Sequence, residues 1–319
     1  MLDLAKWAVV NNYKVAWGNI KHLNDANREF EIRYLSNELN ELQRTIFKRW
    51  SFNKATAKDM KTVIVVAASA SRKTRKLILN CNGMEIVALM PPFYNDDTVE
   101  TDFDGEIDSK LTVFLRNHGY NVNRLSGPLK NVSARLGLGK YGRNNLLYVE
   151  GLGSYTRLLG FVTDAKLTPS LFPGNNDGVI IMESCKTCNL CKINCPTNAI
   201  GDDRFQLHVD NCLAYANEKA DEWPVFVQNV RQQYLVGCLN CQHVCPHNKS
   251  FIDIGSTISE QFNKDETDFI LGQNRYTSIE LQKSVYEKFN KMGLSRYKEY
   301  ILRNIQNYIK NYYGDNACL

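Results

Sequence analysis

Apolar positions in residues 26–50 follow a helical period: Phe30, Tyr34, Leu35, Leu39, Leu42 and Ile46 form one stripe, the mark of a helix packed on a core. Thr62–Ala68 (TVIVVAA) is instead a continuous apolar run rich in β-branched residues, which predicts a buried strand. The basic run at 71–76, SRKTRK, predicts a solvated loop, with phosphate contact as the alternative. Glu85–Met90 predicts a second strand stopped by Pro91 and Pro92, and Asp108–His118 a helix ending near Gly119.

Further on, Val132–Leu136 predicts a short helix that stops at Gly137, Leu138 and Gly139. Leu146–Val149 and Leu158–Thr163 read as strands joined by a turn at Gly151–Ser154, and Gly178–Met182 as one more strand. Residues 279–312 return to a helical period through Tyr286, Phe289, Leu294, Tyr300, Ile301, Ile305 and Tyr308. Helices and strands alternate without an even βαβ rhythm, so the expected class is α+β with a mixed sheet.

The 319 residues suggest more than one unit. We expect an α+β cofactor or substrate domain at 1–177, a ferredoxin-like double-cluster domain at 178–250, and a helical C-terminal segment at 251–319. Lys6, Asn11, Asn12 and Lys14 break the first apolar run, which argues against a signal peptide, and no apolar run approaches the ~18 residues of a membrane span. A cytoplasmic protein with neither a membrane nor a DNA partner is expected. A formal charge of +5 permits an RNA partner without requiring one; the tail from 281 onward carries seven Lys/Arg against three Asp/Glu.

Eight of the ten cysteines change the picture. Cys185, Cys188, Cys191 and Cys195-Pro196 are followed by a lone Cys212, then by Cys238, Cys241 and Cys245-Pro246. The first run has the bacterial ferredoxin spacing, in which three close thiolates hold one cubane and the fourth reaches the other. That rule assigns Cys185, Cys188, Cys191 and Cys245 to one [4Fe–4S] cluster. Cys195, Cys238 and Cys241 go to the second, with Cys212 filling the vacancy that Leu235 leaves. Zinc has no use for a third cysteine three residues on, and a disulfide framework needs an oxidising compartment. Cys81 reads as a buried thiol and Cys318 as part of a frayed tail. His243 and His247 sit beside a full ligand set, where roles around the ligands outweigh metal binding.

Gly137-Leu138-Gly139-Lys140-Tyr141-Gly142-Arg143-Asn144-Asn145 packs three glycines, two cations and two amides together. It reads as a loop that cradles a ligand beside the clusters, a structural turn being the plainer alternative. Its G-x-G-x-x-G spacing is formally a dinucleotide fingerprint. A helix before it and a strand after it reverse the order that NAD(P) or FAD binding requires. Asp164 either orients a ligand or caps a loop.

This segment, the ferredoxin-type run, the solitary cysteine and GCLNCQHVCPHNK together resemble the epoxyqueuosine reductase family, itself related to corrinoid reductive dehalogenases. The likeness covers about residues 125–250. It implies a cobalamin held in an α+β domain, two clusters that feed it electrons, a low-potential donor of ferredoxin or flavodoxin type, and a modified tRNA nucleoside as the group reduced. The corrinoid would fall to Ser126, Gly137, Gly139, Lys140, Tyr141, Gly142, Arg143, Asn144, Asn145, Ser154 and Asp164.

The chain also departs from that family. No Asp-Tyr-His motif occurs between residues 60 and 120, and Arg124-Leu125-Ser126-Gly127-Pro128 lacks the carboxylic proton donor expected there. Ala214 replaces a serine, and Leu239 and Asn240 replace acidic residues. A divergent reductase is therefore expected, with weak epoxyqueuosine reduction. The competing readings are a ferredoxin-type electron-transfer protein serving a partner enzyme, and an RNA-binding protein with clusters as a staple. Some 180 residues ahead of the clusters count against a simple carrier.

Overall fold

The computed structural model describes residues 2–36, 39–41, 43–45, 59–70, 74–91, 103–170, 181–202, 205–218, 224–227, 230–251, 258–274, 277–294, 297, 300–314 and 318. Its central sheet runs in the order β1 (Lys14–Asn19), β2 (Thr62–Ser69), β8 (Thr156–Thr163), β5 (Val122–Leu125), every pair antiparallel. The unbroken apolar run of β2 is explained by burial on both faces. Ile64, Val66 and Ala68 meet α1 (Leu4–Val10) and α3 (Phe103–Asn117). Val63, Val65 and Ala67 face a second core built from α2 (Lys21–Leu35), α4 (Leu129–Arg135) and the hairpin β6 (Gly139–Tyr141)–β7 (Leu147–Val149). That second core carries the glycine-rich segment.

Another sheet, β4–β3–β9, pairs β3 (Arg75–Cys81) antiparallel with β4 (Met84–Met90) and parallel with β9 (Ile258–Phe262). Its core joins Leu77, Leu79 and Ile86 to residues of α9 (Ile279–Lys291) and α10 (Ile301–Tyr313), such as Phe289 and Ile305. The architecture is α+β with a mixed sheet, as expected.

Four readings are corrected. The helix expected over 26–50 stops at Leu35, where Ser36 turns extended and its hydroxyl bonds the Arg33 carbonyl; Leu35 is exposed and Leu39 buried. Leu42 and Ile46 lie outside the described residues. The basic run is no loop at its end: Arg75 and Lys76 open β3, and Arg75 is buried, donating to the Lys291 carbonyl. Residues 251–319 are not a separate helical segment, because β9 and the helices after it complete the core of the β3–β4 hairpin. Cys318 is buried and disulfide-bonded to Cys81, not frayed. Of the strand expected at 178–182, Ile181 makes a single bridge to Tyr141 and residues 178–180 are not described.

Candidate cluster and cofactor site

Each cysteine run folds into a tight loop around one helical turn, Leu190–Ile193 in the first and Asn240–His243 in the second. The two turns pack together. Cys185, Cys188, Cys191 and Cys245 all line one cavity of about 130 Å³. The remaining four gather beside it: Cys238 lies near Cys212 and Cys195, and Cys241 near Cys238 and Cys212. Position 235 is closed to a ligand because Leu235 is fully buried in the C-terminal core, its N–H bonded to the Leu89 carbonyl at 2.7 Å. Cys212 stands at the start of a short helix, with the Tyr215 and Ala214 N–H groups on its sulfur.

Burial, then neighbouring thiols, push Cys191 up to about 11 and Cys238 up to about 12. Bound iron reverses that balance by holding the sulfurs as thiolates. Among the described residues no three His, Cys, Asp or Glu gather tightly enough for a single metal ion; a cubane spreads its four ligands around its own breadth.

Arg143 and Asn144, in the turn between β6 and β7, grip both loops. The Arg143 guanidinium donates to the carbonyls of Cys188 (3.1 Å) and Cys185 (2.8 Å), and pairs with Asp202 at 2.9 Å. Asn144 is buried and donates to the Cys241 carbonyl and the Tyr148 hydroxyl. Burial and a hydrogen bond with Cys245 push the Tyr148 phenol up. Gly137 takes φ +76, which favours glycine in the turn that ends α4.

A larger cavity, about 600 Å³, opens against this turn. Gly137–Lys140, Tyr148–Gly151 and Gly153 form its walls, with Lys14, Val15, Met182 and His247. Tyr148 and His247 line both cavities, and Ser184 Oγ lies 2.8 Å from His247 Nε2.

The expected cofactor residues divide accordingly. Gly137, Gly139 and Lys140 line the large cavity; Gly142, Arg143 and Asn144 line the small one. Tyr141 is a core residue, edge-on to Phe205. Asn145 turns at φ +59 and bonds the Phe205 carbonyl. Ser154 binds Asn248 and Gln242, tying the chain before β8 to the second cysteine run. Asp164 accepts from the Asn121 N–H and amide, so it caps a loop. Ser126 is exposed and lines neither cavity. Arg143 is corrected too: its donors are turned to the cluster loop. Lys14, Tyr148, Glu150 and Met182 were missed, and His247, expected beside a cluster only, reaches the large cavity as well.

Residues 184–248 match the 4Fe-4S double cluster binding domain. The chain is therefore a double-cluster iron–sulfur protein. Its relatives are epoxyqueuosine reductases and reductive dehalogenases. It is 33% identical over 119 residues to epoxyqueuosine reductase of Lactococcus garvieae, covering 37% of this chain and 31% of that protein. To tetrachloroethene reductive dehalogenase of Desulfitobacterium hafniense it is 29% identical over 178 residues, covering 52% of this chain and 31% of that one. The chain thus spans about a third of the length of these curated relatives. A crystal structure of epoxyqueuosine reductase with an epoxyqueuosine-modified tRNA-Tyr stem loop superposes with TM-score 0.62 at 17% identity, over 95% of this chain and 79% of that one. The fold is shared.

Proposed function

We propose that this protein is an iron–sulfur oxidoreductase of epoxyqueuosine reductase type. In this reading Cys185, Cys188, Cys191 and Cys245 hold one cluster, and Cys195, Cys212, Cys238 and Cys241 the other. A corrinoid occupies the 600 Å³ cavity. The observation that carries this is the shared wall: Tyr148 and His247 face both that cavity and the thiol cavity beside it.

The lining fits a flat macrocycle. The backbone of Gly137, Gly151 and Gly153 lets a ring approach closely, Val15 and Met182 supply apolar surface, and Lys14 and Lys140 stand free for polar substituents. A methyl group at Gly151 would meet only the Lys14 side chain, no nearer than 3.5 Å. When bound, the clusters supply single electrons and the corrinoid a strongly reducing metal. Tyr148 and His247 keep the two groups adjacent, and Arg143 and Asn144 fix the loops that hold the clusters.

No Asp or Glu lies between Arg124 and Gly139; the carboxylate on the large cavity is Glu150. We therefore expect slow turnover of epoxyqueuosine in tRNA and a different preferred acceptor, with electrons from a ferredoxin or flavodoxin type of donor in the cytoplasm. Among the described residues no helix is long and apolar enough to cross a membrane.

The test is anaerobic purification with about eight iron and eight sulfide per chain, then titration with cobalamin. Saturable binding, weakened at least tenfold by the Lys14→Ala/Lys140→Ala pair, is expected. Full iron content with no binding would refute the corrinoid. Rapid epoxyqueuosine turnover would refute the altered acceptor.

A further inference from the structure

The environments of the two thiol sets differ in charge. Around the first, the Arg143 guanidinium bonds the Cys185 and Cys188 carbonyls and, more weakly, that of Lys186. Asp202 pairs with Arg143 and also with Lys192, which stands beside Cys191. Two cations thus share one carboxylate. Lys186 pairs with Glu183, so among the described residues the cations around this loop outnumber the carboxylates by one.

Among the described residues, neutral amides bond the loops of the second set. Asn144 bonds the Cys241 carbonyl and Asn217 the Gly237 carbonyl. Glu218 adds negative charge near Cys212. Arg303 bonds the Ala216 carbonyl.

Adding an electron to a cluster adds negative charge, so a cation held nearby favours the reduced form and raises the potential. We propose that Arg143 selectively raises the reduction potential of the cluster held by Cys185, Cys188, Cys191 and Cys245. An electron delivered by a low-potential one-electron donor is then retained beside the large cavity. No bond is made or broken and no proton moves; the donor is oxidised as a cluster is reduced. Arg143 acts as a positioning residue, through the carbonyls of the loop. The proposal rests on the ligand sets above and not on the corrinoid.

The experiment is an anaerobic redox titration of the two-cluster protein without corrinoid, followed by electron paramagnetic resonance. A Cys245→Ser protein marks which signal belongs to the first cluster. Arg143→Met is expected to lower that cluster's midpoint enough to cut its share of a single electron roughly tenfold, about 59 mV for a one-electron couple. The other signal stays in place. Arg143→Lys restores most of the shift. Asp202→Asn, at an exposed carboxylate, moves the same midpoint upward, an opposite sign that simple loosening of the loop would not give. Equal movement of both midpoints, no movement, or a downward shift in Asp202→Asn overturns the proposal. Should Arg143→Met fail to retain iron, the sign of the Asp202→Asn shift decides alone. If Cys245→Ser damages the cluster of Cys238 and Cys241 instead, the ligand sets fail, and that failure is read separately.

Discussion

A methyl group added at Gly142 would lie 2.6 Å from the Tyr148 ring and 2.7 Å from Asn144 Oδ1. Neither neighbour can yield cheaply, because Asn144 is bonded to the Cys241 carbonyl and Tyr148 forms the wall between the cavities. Gly142→Ala is expected to cost about 1–3 kcal/mol, as overpacking does, and to lower iron retention on gel filtration. Wild-type iron content and an unchanged unfolding midpoint would refute this. At the same scale, the cysteines were legible because cluster spacing is a local property of the chain. Arg143 was recognised as important but given the wrong partner. Its acceptors are main-chain carbonyls 42 and 45 residues on, and a carbonyl has no signature in sequence. Lys14 left still less trace, being a single lysine at the start of a strand that periodicity did not reveal.

Among the elements, α2 and α4 are joined by one half-buried carboxylate. Glu29 accepts from Asn131 at 2.7 Å and Arg135 at 2.8 Å, and from Arg33 one turn along its own helix. Burial alone would raise the Glu29 carboxyl; the bonds from Asn131, Arg135 and Arg33 outweigh it and hold the group below the ordinary 4.5. A carboxyl depressed by folding stabilises fully above its unfolded pKa, and that stabilisation is lost as pH falls through the folded value. At pH 7, Glu29→Gln should therefore unfold more easily, by about 1.5–3 kcal/mol for hydrogen bonds to a charged group. The gap between variant and parent should narrow once pH drops below about 4.5, in thermal midpoints measured from pH 7 to 4. A gap independent of pH would show that shape rather than charge holds the helices together. The elements themselves were legible where both faces of a strand are buried, as in β2, or where glycine stops a helix, as at Gly137. Strands β1 and β9 were not, because their pairings are made across long stretches of chain, and neither was β3, although it closes a tight hairpin with β4. In β3 the cations of Arg75 and Lys76 also masked the alternation of burial that follows.

For the whole molecule, the two sides of the sequence close on one another. Residues of β3 and β4 and residues after 235 share a core, and the Cys81–Cys318 disulfide fastens it across 237 residues of sequence. The two cysteines are buried, with relative exposures of 2% and 9%, in a chain whose other eight form no disulfide. A bond closing so long a loop restricts the unfolded chain strongly, by up to about 5 kcal/mol on the chain-entropy account. Cys318→Ser is accordingly expected to lower the thermal midpoint by several degrees while iron content at 20 °C stays at the parent's level, because no cluster cysteine takes part in the bond. Alkylation under denaturing, non-reducing conditions should leave Cys81 and Cys318 unlabelled in the parent and expose both after dithiothreitol. In a reducing cytoplasm such a bond is uncommon, so the state of this pair in freshly lysed cells also reports on the compartment. Full labelling of both cysteines in the native protein, with a Cys318→Ser midpoint equal to the parent's, would show that packing alone closes this core.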